Sequence, residues 1–379
     1  MNTHDRRSFL ARTVGAGVAA TGAPWLAASG TAAARDKQRI KVGQIGIGHN
    51  HASAKMATFR KLADHYEVVG VVEPSPEWRK KRGEDPAYRG LTWMTEEQLL
   101  NTQGLAVVAV ETDVCDLVPT AARCVEAGLH LHLDKPGGET LAPFNALLDE
   151  AARRALTVQL GYMYRNNPAI CFCQRAVREG WLGQIFEVHA VMSRYQPLAY
   201  RQWLGQFRGG SMYIFGCHLI DLVVTMLGKP DRITPFQRQT HPDVPVYDNG
   251  LAVLEYPRST ATIRTASLEV EGYQRRQLVV CGDQGTIEIR PLETFDLRPP
   301  RPLKLNLTLS SPRESFAKGV QEVVFPPQSG RYADQLIELA RIVRGEIVNP
   351  YPLSHERMVQ ETLLGAIDHP PLGQEAGET

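Results

Sequence analysis

The sequence predicts a two-domain α/β protein: a doubly wound parallel sheet first, then an α+β domain with a large, mostly antiparallel open sheet. Three observations carry this. From residue 38 onward, short apolar runs alternate with helical segments, the pattern of βαβ units. A glycine pair, Gly46 and Gly48, closes the first of those runs where a helix begins. From Ile185 the texture changes to longer strand-like runs separated by turn residues, with few helices.

Taken in order, the chain opens on Asp5-Arg6-Arg7-Ser8-Phe9-Leu10, then an alanine- and glycine-rich stretch that ends in Ala32-Ala33-Ala34. Residues 1–34 read as a twin-arginine export signal, which predicts a periplasmic or exported mature protein with the export machinery as a transient partner. Residues 35–160 form the first domain. Within it RIKVGQIGIG is a buried strand, HASAKMATFRKLADH a helix, YEVVGVVE a second strand, and LAVVAVET and GLHLHLDKP later strands flanking the helix VPTAARCVEA. Residues 161–379 form the second domain, with strands in IFEVHAVMSR, GLAVLEYP, TATIRTASLEV and RQLVVCGDQGTIEIR and a late helix in YADQLIELARIVRG. Its sheet is expected to bury one face and to offer the other to a second subunit, making a homo-oligomer.

Composition narrows the function. A formal net charge of +1 with acids and bases interspersed provides no footprint for nucleic acid or an anionic membrane, so a small molecule is the expected partner. Six cysteines include no Cys-x-x-Cys, and Cys171 and Cys173 sit too close on a predicted helix to pair, so free thiols are expected.

The chemistry gathers at strand ends. Gly46-Ile47-Gly48 holds the first two glycines of a G-x-G-x-x-G dinucleotide loop, continued by His49 and Asn50, but the third position is His51, with Ala52 as the small residue that can pack in its place. Glu73 ends the second strand, where a carboxylate accepts from an adenosine ribose and repels a 2′-phosphate, favouring NAD; Arg79, Lys80 and Lys81 keep NADP open. Asp134, Lys135 and Pro136 follow LHLHL at another carboxyl end, the place where ligands bind in such sheets. Imidazoles at His49, His51, His130 and His132 form two His-x-His pairs, yet no carboxylate or thiolate completes a ligand spacing, so no metal centre is expected.

The order of glycine loop, acidic second strand end, AGLHLHLDKP, GYMYRNNPAI, GGSMYIFGCHLIDLVVTMLG and CGDQGTIEI resembles the Gfo/Idh/MocA oxidoreductases over essentially all of the mature chain. The resemblance implies an N-terminal Rossmann domain, a C-terminal α/β domain, and hydride transfer between nicotinamide and a sugar or cyclitol carbon. It implies that Lys135 and Asp134 stand near nicotinamide and that His218 is a catalytic acid/base. It also implies that Tyr164 and Arg165 help line a substrate pocket. Where many relatives carry an aspartate this chain has Ile214, so Tyr162, Tyr164 or Tyr213 becomes a candidate acid/base, and Asp221, one turn after His218, a candidate to orient it. A redox-neutral, NAD-dependent glycoside hydrolase or lyase and a non-catalytic binding relative are the alternatives. Export of a folded chain further implies a tightly bound cofactor, loaded before transport.

Overall fold

The computed structural model describes residues 38–295, 299, 301–328 and 330–368; the export-signal reading lies outside them. The first sheet has five strands, β1 (Ile40–Ile45), β2 (Tyr66–Val72), β3 (Leu105–Val110), β4 (His130–Leu133) and β5 (Val158–Leu160), all parallel in the order β2-β1-β3-β4-β5. Between them run α1 (Ala52–Lys61), α2 (Pro76–Arg82), α3 (Glu96–Leu100), α4 (Leu117–Glu126) and α5 (Leu141–Arg153). Helices on both faces explain why the strands read as unbroken apolar runs: β3 buries Val107, Val108, Ala109 and Val110 completely. Local signals set the helix starts. Ser75 caps α2 with Pro76 behind it, and Thr95 with Gln98 closes a capping box on α3. Strand order reverses between β1 and β3, so a crevice opens at their carboxyl ends.

After α6 (Pro168–Arg178) comes the second sheet. It is built from β6 (Ile185–Ser193), β7 (Arg232–Arg238), β8 (Asn249–Glu255), β9 (Thr260–Ala266), β10 (Gln277–Gly282), β11 (Gly285–Ile289), β12 (Leu303–Leu309) and β13 (Gly319–Phe325). The order is β13-β12-β11-β10-β6-β9-β8-β7, antiparallel throughout except between β6 and β9. Alternation along β12, where Leu303, Leu305, Leu307 and Leu309 are buried between exposed Lys304 and Asn306, gives this sheet one covered face. The helices are α7 (Leu198–Leu204), α8 (Cys217–Leu227), α9 (Ala333–Val343) and α10 (Leu353–Ala366); a π-helical turn over Met212–Gly216 leads into α8. All six cysteines are free thiols, as expected.

The expected second domain returns one helix to the first. Leu336, Leu339 and Ala340 of α9 pack with Ile40, Val42, Phe59 and Val107. Tyr66 donates its hydroxyl to Leu336 O at 2.6 Å, while Gln159 and Gln335 exchange bonds with backbone carbonyls of each other's strand and helix at 3.0 and 2.8 Å. Such buried amides tie the two halves because an unpartnered one costs about 1–3 kcal/mol.

Beside Gln159 lies His132, wholly buried, its Nδ1 2.9 Å from Gln159 Oε1. Burial, with the Lys55 charge adding to it, pushes His132 from 6.5 down to about 3. The unfolded chain therefore takes up a proton that the fold refuses, and the stabilisation is complete above pH 6.5 and lost as pH falls towards 3. One such group gives a slope of up to about 1.4 kcal/mol per pH unit. Denaturant titrations between pH 7 and 4 should show His132→Gln flattening the acid loss; an unchanged slope would remove His132 from the account.

Candidate active site

Backbone geometry shapes the loop after β1. Gly46 has φ +89°, and a Cβ there would stand 2.4 Å from Thr112 N. At Gly48 a Cβ would meet Trp78 Nε1 at 2.9 Å and Asp113 Oδ1 at 3.1 Å, so only glycine leaves the crevice floor open. Ala52 is fully buried and takes the packing role expected of it, while His51 turns its ring towards Asp134. Arg82 donates to the carbonyls of Ile47, Gly48 and His49 at 3.1, 3.1 and 2.7 Å, holding the loop from outside. Glu73 accepts from Ile47 N and Ser75 N, each at 2.7 Å, binding the end of β2 to the loop. Arg79 lies 3.2 Å over the Trp93 ring and Lys81 4.5 Å over Trp78.

Asp134 is the hub beneath this loop. Its Oδ2 accepts from Lys55 Nζ at 2.7 Å and from His51 Nδ1 at 3.0 Å, with His49 Nδ1 also 3.0 Å away; its Oδ1 accepts from Lys135 N at 2.7 Å. Burial works to raise the Asp134 carboxyl, but His49, Lys55 and His51 together hold it well below the usual carboxylate range. Burial lowers His49, and lowers His51 to about 3, so both rings stay neutral at neutral pH. Glu111 stands 2.9 Å from Lys55 Nζ without hydrogen-bonding geometry; burial pushes its carboxyl well up against the pull of Lys55, with Asp134 adding to the rise. The trio His49, His51 and Asp134 brings three ligand-type atoms within 4.8 Å, a convergence the residue spacing did not reveal. Lys55 already sits on the oxygen a cation would need, so the trio works as part of a charge-paired network.

A cis peptide joins Lys135 to Pro136. Lys135 Nζ donates to Ile214 O at 3.0 Å, in the π-helical turn. The isoleucine thus supplies a backbone acceptor where a carboxylate side chain was expected to matter. His218 is 2% exposed; its Nδ1 is buried without a partner, and Nε2 is the ring nitrogen left to the cavity. Burial, then the Lys135 charge, keep it well below its ordinary value, and thus neutral.

A cavity of about 400 Å³ collects these groups: His49, Asn50, His51, Lys135, Ile214, His218, Arg194 and Arg276 all line it. It shares His49, Asn50, Tyr200 and Trp203 with a second hollow over Gly48, which shares Trp78 and Asp113 with a third beside Glu73. The three make one trough from the end of β2, across the glycine loop, to Lys135 and His218.

Some expected residues lie elsewhere. Arg165, expected to line the pocket, is 2% exposed and wholly engaged: it pairs with Asp221 at 2.6 Å and with Glu356 at 2.7 and 2.8 Å. Asp221 does not orient His218, because Arg165 and His355, the latter at 3.0 Å, take its oxygens. Tyr162 and Tyr164 stand behind His218, their rings 5.9 and 5.7 Å from it and edge-on; they pack the imidazole and do not line the cavity. Tyr213 is fully buried against Phe207, its hydroxyl without a partner, and is likewise outside the lining. Sequence reasoning missed Lys55, although Ala52, Lys55, Met56 and Phe59 share one buried helical stripe, and a lysine in an apolar stripe signals a buried pair.

A doubly wound sheet with a glycine turn, a trough along its carboxyl ends and a lysine–histidine pair at the end of that trough defines an NAD(P)-dependent oxidoreductase. Residues 40–162 match a family model described as an oxidoreductase family with an NAD-binding Rossmann fold, and residues 172–288 match the GFO/IDH/MocA C-terminal domain. The chain belongs to the Gfo/Idh/MocA oxidoreductases, enzymes acting on CH–OH groups. Among curated proteins it is 25% identical over 242 residues to the oxidoreductase YhhX of Escherichia coli, covering 60% of this chain and 68% of that one. It is 21% identical over 246 residues to the scyllo-inositol 2-dehydrogenase (NADP(+)) IolW of Bacillus subtilis, covering 64% and 67%. It is 22% identical over 231 residues to the levoglucosan dehydrogenase of Pseudarthrobacter phenanthrenivorans, covering 57% and 58%. The crystal structure of YhhX superposes with a TM-score of 0.72 at 20% identity, over 87% of this chain and 97% of that one. GenD2 from gentamicin A biosynthesis, in complex with NAD, gives 0.68 at 17% identity over 87% and 94%.

The Arg165 cluster yields a test of structural against substrate-binding roles. Arg165→Met leaves Asp221 and Glu356 buried without their cation and should cost about 3–5 kcal/mol in chemical denaturation. A variant of full stability with a raised KM would return Arg165 to the substrate.

Proposed function

We propose that the protein is an exported sugar or cyclitol dehydrogenase that keeps NAD bound in the trough between Glu73 and His218. The continuity of that trough carries the reading. Gly48 is the position where a side chain would fill the cradle, and Glu73 ends it with a carboxylate, which suits a 2′-hydroxyl better than a phosphate. Arg79, the alternative holder of a phosphate, is stacked on Trp93. Relatives named for scyllo-inositol and levoglucosan support a cyclic polyol as the substrate.

The residues present fit such a cofactor, with Gly48 and Asn50 under its phosphates and Lys135 beside its reactive end. When bound, nicotinamide supplies the acceptor or donor of hydride. Lys135 Nζ, aimed by Ile214 O, offers a hydrogen bond to the oxygen of the reacting carbon. Neutral His218 takes the hydroxyl proton at Nε2 and returns it in the reverse direction; its depressed pKa keeps it a competent base through neutral pH. No buried carboxylate is needed for that step, which accounts for Ile214.

Mass spectrometry of small molecules released by denaturing the purified mature protein should find NAD(H) near one per chain. Gly48→Val should empty the site while the fold survives. Full nucleotide content in that variant, or empty wild-type protein active only on added NAD, would contradict tight retention at this loop.

A further inference from the structure

The cavity beyond the glycine loop takes basic groups from the second domain. Arg276, at the start of β10, is 4% exposed yet lines the cavity, its fork held from behind by the buried Glu293 and by Ser193 O at 3.4 Å, and set 4.8 Å over the Tyr273 ring. Its Nη2 meets no protein acceptor among the described residues. Arg194, just past β6, is exposed at the same wall and its guanidinium has no protein partner among the described residues. Lys135 also lines the cavity, and among the described residues no aspartate or glutamate does. The position four residues before His218, where a carboxylate was expected, is Ile214.

Such a lining does not match a neutral polyol well. Each sugar hydroxyl both donates and accepts, whereas arginine and lysine only donate, so beside the cations hydroxyl donors must reach neutral acceptors such as Asn50, Gln196 or Tyr200. A carboxylate accepts at both oxygens and suits the planar fork of an arginine. Arg276 is also pre-aimed: Glu293 fixes its orientation without blocking the edge that faces the cavity, so little freedom is lost on binding.

We propose that the substrate is a sugar acid, its carboxylate gripped by Arg276 and Arg194 while the carbon to be oxidised lies between Lys135 and His218. This rests on the oxidoreductase reading and narrows its substrate class.

The test compares glucuronate, glucose 6-phosphate and glucose on the purified, nucleotide-loaded protein, by calorimetric binding and by nicotinamide absorbance. Glucuronate should bind at least about tenfold more tightly than glucose, because charge-assisted bonds to an arginine carry that difference, and its binding should weaken with added salt. Arg194→Gln should weaken glucuronate by about ten- to a hundredfold, with Arg194→Lys restoring part, while glucose binding does not move. Equal affinity for glucose, or a preference for glucose 6-phosphate over glucuronate, would overturn the sugar-acid assignment. Glucuronate that binds as stated with no absorbance change would leave the carboxylate grip by Arg276 and Arg194 standing and overturn its oxidation between Lys135 and His218. Glucose oxidised in preference to glucuronate would do the reverse.

Discussion

The active site depends on one buried carboxylate. Asp134, with no exposed surface, ends β4 beneath the glycine loop and takes bonds from His51 in the loop, Lys55 in α1 and the amide of Lys135, with His49 Nδ1 3.0 Å away. An isolated carboxylate at that depth would cost several kcal/mol, so the arrangement stands only because Lys55 matches its charge and His51 and the Lys135 amide fill further lone pairs. The consequence is mechanical. Loop, helix and strand end are fixed to one atom pair, and the residue after that pair is the lysine that faces the substrate cavity.

A second constraint comes from the other domain. The π-helical turn over Met212–Gly216 turns the Ile214 carbonyl to Lys135 Nζ, and α8, which begins at the next residue, carries His218. π-turns place an extra residue in a helix and often occur where a functional group must be aimed. Packing therefore joins the two side chains across the domain boundary: Lys135 is held by the turn that delivers His218. The rings of Tyr162 and Tyr164 press edge-on against that imidazole, and burial there keeps it neutral. Neutral charge makes it a base, so the same packing that stabilises α8 sets its chemistry.

Much of this was legible in the sequence because it rests on local patterns. Alternating runs gave the parallel sheet, the period-two strands after Ile185 gave the open sheet, and Gly46, Gly48 and the Asp134-Lys135-Pro136 strand end located the trough. Arg165 was misread because the preference of a guanidinium for a buried carboxylate depends on α8 and α10 meeting near it, and Glu356 is remote in the chain. Asp221 was misread for the same reason: helical spacing puts it near His218 in sequence, yet its side chain faces the Arg165 side. Lys55 and Glu111 left only weak traces, since pairing between a helix and two strand ends is set by tertiary contact. Glu73 was placed correctly at the end of β2, but its bonds to Ile47 and Ser75 follow from loop geometry that no spacing rule encodes.

The claim that the Lys55–Asp134 pair organises the site is tested most directly by a double-mutant cycle. Lys55→Met, Asp134→Asn and the double variant would be compared in stability by denaturant unfolding and in nucleotide bound per chain. Each single change should cost about 3–5 kcal/mol and release the nucleotide, and the double should recover part of that loss, with a coupling of about 1.5 kcal/mol or more. Losses that add to within about 0.5 kcal/mol, with nucleotide retained in the single variants, would show that the pair is incidental and that the loop holds itself.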